Sequence, residues 1–586
     1  MPCQAYIQQA IAPSMEGEIV DSNGVNDDTG MQRRMASATW LAPLLTALVS
    51  LALYVATLTP EVDWSDSAEL ALQAYQLGVT HPPGYPVHTF LGKLLSFLMD
   101  EPAVATNLLS ALGASTAAGL LALITVRLTG KWLFGPVAGL FFAFVPQIWG
   151  LAVVTEVYTV SAAFFALALA LVLAYERSSR RALPIAAGFA LALCLGSYLG
   201  NLLAIPGLLW LLWRARRDRV RPALLFLVTG AVATSLLLSW SFFRSSALPP
   251  IGTRYVPDSP RSFLQYLSAA QYGAAETLDP AFYWHRLAQH VPLFFTSFTW
   301  IGISLGLVGL VHQWRSDRPV CIGFLLLFGA NFLYFTGYAA TDYQTMVAIS
   351  YLVFAPWVAY GVACLARFSV TLPRRLLGAG QLLLLALGGG LGFASAGADW
   401  FGFGDPGFGL AQLIGVVAGL ALAAVGLALR RPRFTGWAGR NTGAIVGVAL
   451  STAALALILY PQLRPRLERT RSEYVTTFVY YSYDEFPAGA LVAASWDKFA
   501  PLYYFQQVHG ARDDLTIVER TLGSAGRPRT YHFGSVDDWR QLVLDTVDSR
   551  AVFVDCEDAL LQEGVDFEPV PHGWYRVSAA SHPVGE

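Results

Sequence analysis

Of the 586 residues, 55% are hydrophobic and 13% charged, about half the roughly 25% charge of a soluble domain, so lipid is the solvent for much of the chain. A net charge of −2 offers no concentrated basic surface and argues against a nucleic-acid partner. Cys3, Cys194, Cys321, Cys364 and Cys556 are scattered, three of them in apolar runs, which reads as isolated thiols and provides neither a disulfide framework nor a CxxC metal site.

Residues 1–38 are polar and aperiodic, and read as a disordered cytoplasmic tail. They do not resemble a cleavable signal peptide, since no basic region precedes the first apolar run. That run, about 41–59, is long enough to span a bilayer. Others follow at 104–126, 132–150, 157–175, 183–197, 199–213, 222–243, 291–312, 319–338, 345–366, 376–395, 408–429 and 443–460, making about 13 transmembrane helices in a domain of residues 39–460. Gly196 and Gly200 divide one apolar stretch into two short spans.

Basic residues punctuate every second loop: Arg33 and Arg34, Arg127 and Lys131, Arg177 to Arg181, the run Arg214 to Arg221, Arg315 and Arg318, Arg367 to Arg375, and Arg430 to Arg433. By the positive-inside rule these loops are cytoplasmic, as is the N-terminus. The odd count then predicts a non-cytoplasmic C-terminal region, at the plasma (inner) membrane if the source is bacterial. In that region, residues 461–586, charges return. ALVAASW (Ala490 to Trp496), LTIVER (Leu515 to Arg520) and RAVFVDC (Arg550 to Cys556) read as strands, with amphipathic helices between them. The expected fold is therefore a polytopic α-helical membrane protein with a small extracytoplasmic α/β domain.

The first outside loop, 60–102, is too long and polar for a simple turn. Asp63, Asp66 and Glu69 crowd its start, and the spacing of Asp66 and Glu69 puts both on one helical face. Two amphipathic stretches at helical spacing follow, expected to lie in the interface plane. Between them His81-Pro82-Pro83-Gly84-Tyr85-Pro86 makes a rigid turn. From the residues alone, the carboxylates can be solvated charges, oxygen ligands to Mg²⁺ or Mn²⁺, or a general base. Glu156 and Tyr158, where the third and fourth spans meet, and Tyr198 and Asn201, between the fifth and sixth, share this outside face; an ionisable group at the hydrocarbon boundary is a functional candidate. Arg244, Arg254 and Arg261 stand against the charge bias, and a phosphate-bearing lipid head group is one reason to keep them there.

The stretches DSAELALQAYQLGVTHPPGYPVHTFLGKL, ATNLLSAL, VVTEVYTVSAAF and GSYLGNLLAIPGLL resemble the domain-of-unknown-function 2723 family, relatives of the eukaryotic transmembrane O-mannosyltransferases. The likeness is strong over about 50–215 and weaker at SPRSFLQYLSAAQYGA and ALVAASWDKFAPLYYFQQVHGARDDLTIV. It implies a C-type glycosyltransferase that moves a sugar, with mannose suggested, from a polyprenyl-phosphate donor to a hydroxyl of a protein or glycan acceptor at the outside face. Asp66 and Glu69 would be its acidic pair, with Asp66 as base. His81, Pro82, Pro83 and Gly84 would form its turn, and Glu156 and Tyr158 its EVY element. Tyr85, Tyr198, Asn201, Arg244 and Arg254 complete the expected substrate contacts, the two arginines serving the phosphate. The chain departs from the pattern at Ala68, where glycine is usual, at Ser197-Tyr198, where histidine is frequent, and near Asp497-Lys498, where an Asn-Asp pair is. A transporter or flippase would show internal repeats and ionisable groups near the midplane. Here no repeat is evident and the acidic residues gather at one face, so that reading, and a non-catalytic scaffold, rank second.

Overall fold

The computed structural model describes residues 24–214, 220–253, 255–272, 279–338, 343–366, 442–470, 472–520, 538–558, 561 and 564–579. The transmembrane part opens with α1 (Gly24–Ala56), followed by α2 (Asp66–Gln76), α3 (Pro86–Ser96), α4 (Pro102–Thr129), α5 (Phe134–Ala143), α6 (Pro146–Ala152), α7 (Val157–Ser178) and α8 (Ala182–Ser197). After a 3₁₀ segment, Leu199–Ala204, come α9 (Ile205–Arg214), α10 (Val220–Ser245), α11 (Pro260–Leu267), α12 (Pro280–Ser316), α13 (Arg318–Thr336), α14 (Tyr343–Met346) and α15 (Ala348–Leu365). α16 (Thr442–Arg469) leads into the C-terminal region.

Among the described residues seven helices are long and apolar enough to cross a membrane, or eight if the bent pair α5 and α6 is one span. The expected runs at 376–395 and 408–429 lie outside the described residues. Two expectations are corrected. Residues 24–38 continue the first helix instead of forming a tail, because extending an existing helix costs far less than nucleating one. The run at 132–150 is two helices bent by 70°: Pro146 lacks the N–H that would continue the first and disfavours the helical conformation in Val145, while fitting the opening turn of the second.

The most apolar stretches of α4 and α15 are 83% buried and that of α10 is 17% buried, so the first two form the centre and the third the rim. α4 meets α7 at close range because Gly113 carries no side chain: a Cβ there would stand 2.7 Å from the Val160 nitrogen. This crossing sets Glu156, at the start of α7, beside the first loop. The Arg-bearing loop ends gather at the opposite pole, where Arg177 donates to the Arg127 carbonyl and Arg214 pairs with Glu176 and, at 3.1 Å, with Asp317.

The C-terminal region holds α17 (Tyr474–Glu485), α18 (Trp496–His509) and α19 (Asp538–Thr546) around a five-stranded sheet. The strands β1 (Leu491–Ala494), β2 (Thr516–Glu519), β3 (Val552–Val554), β4 (Val565–Val570) and β5 (Trp574–Ala579) lie in the order β2-β1-β3-β5-β4. β1 is parallel to β2 and β3, and its four residues are all buried, as a continuous apolar strand covered on both faces should be. β4 and β5 form an antiparallel hairpin closed by Pro571–Gly573, absent from the sequence reading because β4 is a polar edge strand with a proline. The sheet domain sits on the first loop. Glu61 accepts from the Val475 and Thr476 amides at 3.1 and 2.9 Å, capping α17, and Arg469 pairs with Asp63. The Tyr504 hydroxyl donates to Glu101.

Candidate active site

The first residue of α2 is Asp66, preceded by Ser65 at φ 59° and ψ −132°. A side-chain-bearing residue in this region costs about 1–3 kcal/mol, a strain typical of sites where a neighbouring side chain must be aimed. One helical turn on, Glu69 points the same way but is fully buried. Its two oxygens hold one residue. Oε1 accepts from the His81 backbone N–H at 3.1 Å, and Oε2 lies 2.9 Å from His81 Nδ1. His81 Nε2 in turn stands 3.2 Å from the Tyr85 hydroxyl and 3.6 Å from Asp66 Oδ2. The order along the site is Glu69, His81, Asp66, with only the last reaching solvent: its side chain is 42% exposed.

Electrostatics follow from this order. Burial lifts the Glu69 carboxyl above the usual range, against the opposing pull of His81. Burial disfavours the His81 charge too, but Asp66, Glu69 and Glu156 outweigh it and push the imidazole up to about 9, so it is a cation at neutral pH. Glu156 therefore belongs to the same field. It stands at the N-cap of α7, and its backbone N–H donates to Ser110 Oγ at 2.9 Å.

The turn that carries His81 is fixed from three sides. The Gly84 N–H donates to the His81 carbonyl at 2.9 Å, the Tyr85 N–H to Thr80 Oγ1 at 3.0 Å, and the Tyr266 hydroxyl of α11 to the Thr80 carbonyl at 2.6 Å. Gly84 has φ 87°, and a Cβ there would meet Tyr266 Oη at 2.6 Å. Gly84→Ala is expected to cost on the order of 1–3 kcal/mol and to displace His81, measured as a lower Tm in detergent together with reduced turnover. Pro83 belongs to this turn and is only partly exposed.

ATNLLSAL, too, has a structural job. Asn107 Nδ2 donates to the Thr59 and Glu61 carbonyls at 2.9 and 3.0 Å, and its Oδ1 accepts from Thr155 Oγ1 at 2.7 Å. One buried amide thus pins the start of the first loop to the residue preceding Glu156. Asn107→Ala should destabilise the fold by about 1–3 kcal/mol, the penalty for stranding buried polar groups, and a thermal-shift comparison with wild type measures it.

Several expected site residues are engaged within the protein. Glu69 has no surface from which to touch a substrate, so it positions His81. Arg244 Nε donates to the Leu77 carbonyl at 2.7 Å and its NH2 to the Gln76 carbonyl at 3.2 Å, which caps the C-terminal end of α2, where unpaired carbonyls and the helix dipole favour a cation. Asn201 is buried, with Nδ2 on Ser161 Oγ at 2.6 Å and near Cys194 Sγ. Tyr158 and Tyr198 pack edge to face at 4.8 Å. Arg254 lies outside the described residues, and Arg261 is exposed. As for Mg²⁺ or Mn²⁺, the three carboxylates do not converge: Asp63 pairs with Arg469, Glu69 with His81, and Asp66 with an indole. Among the described residues no group of His, Cys, Asp and Glu has the arrangement of a metal site.

That indole is the residue the sequence reading missed. Trp496, from the far end of the chain, donates from Nε1 to Asp66 Oδ1 at 2.6 Å. Its segment, SWDKF, carried a resemblance but no chemical signal, because nothing local to Trp496 shows where its N–H lands.

A family model described as the Protein O-mannosyl-transferase TMEM260 N-terminal domain matches residues 66–221. The mouse (Mus musculus) Protein O-mannosyl-transferase TMEM260 is 35% identical over 130 residues, 22% of this chain and 18% of that protein. The Dictyostelium discoideum protein of the same description is 24% identical over 321 residues, 48% of this chain and 38% of the other. The chain therefore matches less than half the length of either relative. In fold, it is similar to the crystal structure of ArnT from Cupriavidus metallidurans in the apo state, with a TM-score of 0.52 at 14% identity, covering 92% of this chain and 98% of that one. The fold is therefore similar to that of ArnT, and the segment that matches the O-mannosyl-transferase model begins at Asp66 and contains Glu69, His81 and Glu156.

Proposed function

We propose that the chain is a membrane glycosyltransferase that moves a sugar, mannose by its kinship, from a polyprenyl-phosphate donor to a protein hydroxyl on the non-cytoplasmic face. The observation that carries this reading is Asp66: a partly exposed carboxylate backed by a buried imidazole–carboxylate pair, within the segment that matches the O-mannosyl-transferase model. In the reaction the acceptor oxygen attacks the anomeric carbon as its proton passes to Asp66 Oδ2. The bond from that carbon to the phosphate oxygen breaks, and the lipid phosphate leaves with the electron pair. The leaving group is already weakly basic and needs no proton. A positioned base supplies a factor of about 10² to 10⁴. The His81 cation faces the same oxygen from inside the site, 3.6 Å from Oδ2.

The test is glycoproteomic. Cells lacking the protein should lose hydroxyl-linked hexose from a defined set of extracytoplasmic peptides, restored by the wild-type gene and not by Asp66→Asn. An unchanged glycopeptide profile in the deletion strain would overturn the proposal.

A further inference from the structure

We propose that Trp496 is a positioning residue of the active site, its indole N–H fixing Asp66 Oδ1 so that Oδ2 faces the acceptor, which makes the sheet domain part of the catalytic unit. The inference rests on the reading of Asp66 as the base and adds to it the residue that aims it.

Four contacts define the indole's place. Nε1 donates to Asp66 Oδ1 at 2.6 Å. The His81 ring lies edge-on at 6.3 Å. Phe499 stacks on the indole at 6.0 Å. Gly252, in the loop after α10, presses on its far edge, so closely that a Cβ there would sit 2.5 Å from Cη2. These contacts surround the partly buried indole on several sides and hold its N–H toward the carboxylate.

The backbone beneath Trp496 is anchored just as firmly. Trp496 opens α18, directly after β1. The preceding residue, Ser495, donates both its N–H, at 3.0 Å, and its hydroxyl to Asp555 Oδ2. Asp555 follows β3, is 3% exposed, and accepts at Oδ1 from Arg520 Nε, 2.6 Å away, at the end of β2. The C-terminal ends of the three parallel strands are thus tied into one ion-paired knot whose product is the orientation of one indole. The β1–α18 junction is thus one of the places where the sheet domain meets α2. A residue that merely docked two domains would need the ring and not the N–H, whereas here the N–H reaches the exposed carboxylate of the site. His81, with Glu69, Glu156 and the Tyr85 hydroxyl around it, shares this site.

Two measurements on the full-length protein in detergent test the inference. In the first, the protein is labelled with fluorotryptophan and the Trp496 fluorine resonance is assigned by its loss in Trp496→Phe. That resonance should move in Asp66→Ala, which removes the acceptor of the indole N–H, and an unmoved resonance would overturn the contact. This measurement reads the contact with Trp496 in place and uses Trp496→Phe for assignment alone. The second follows release of undecaprenyl phosphate from undecaprenyl-phosphate mannose with a serine- and threonine-containing peptide pool. Trp496→Phe should lower kcat about ten- to a hundred-fold, as loss of a hydrogen bond to a charged group predicts, with KM little changed. Trp496→His, which keeps a ring N–H, should recover part of the rate. Wild-type kcat in Trp496→Phe, alongside an inactive Asp66→Asn, would overturn the role of Trp496 and leave the base intact. Wild-type turnover in Asp66→Asn would overturn the base itself.

Discussion

Asp66→Asn should leave a folded protein whose kcat is lower by about 10²- to 10⁴-fold, the share of a positioned base in the transfer step. The substitution keeps the size and shape of the side chain, and its amide oxygen can still accept from Trp496 Nε1, so the link between α2 and the sheet domain survives. What disappears is the acceptor of the proton at Oδ2. KM for the lipid donor should therefore change little, and Tm in detergent should stay close to wild type, because the altered oxygen lies on a side chain that is 42% exposed. Single-turnover release of lipid phosphate separates these quantities. A kcat within a few-fold of wild type would remove Asp66 from the chemistry and pass the role to a group outside this loop.

The first loop was legible because its chemistry is local. Asp66 and Glu69 sit one turn apart, and the histidine follows a helix length later within a proline-fixed turn, so short-range rules bring carboxylates and turn to one face. The strands at Ala490 to Trp496, Leu515 to Arg520 and Arg550 to Cys556 were legible for the same reason, as apolar runs bounded by polar turns, and the structure forms β1, β2 and β3 inside them. Partition among the carboxylates was not legible. Whether Glu69 touches substrate depends on its burial, which is set by α4 and the turn closing over it, and sequence spacing carries no such information. Arg244 shows the same limit in reverse: an arginine suited to phosphate by composition lies against the carbonyl end of α2, and only the packing of α10 against the first loop decides that. Trp496 is the extreme case, since its partner is 430 positions away in the chain.

Replacing Glu69 by alanine should be the most damaging change to stability in the site. It would strip the His81 backbone N–H and Nδ1 of their shared acceptor and leave a buried imidazole beside an empty space. Breaking a buried pair from one side costs about 3–5 kcal/mol, most of it the penalty of the group left behind. Turnover would fall with it, although Glu69 is not exposed to substrate. The same pair makes a pH signature. His81 is raised from 6.5 in the unfolded chain to about 9, and Glu69 is raised as well. In both cases the folded state holds its proton more tightly than the unfolded state. The His81 contribution is therefore fully present below about pH 6.5 and is lost as pH climbs through about 9. Wild-type Tm should decline across that window, and His81→Gln, which lacks the titrating proton, should show a flatter profile beginning from a lower value. An equal decline in the variant would assign the pH dependence to other groups and leave His81 neutral at the centre of the site.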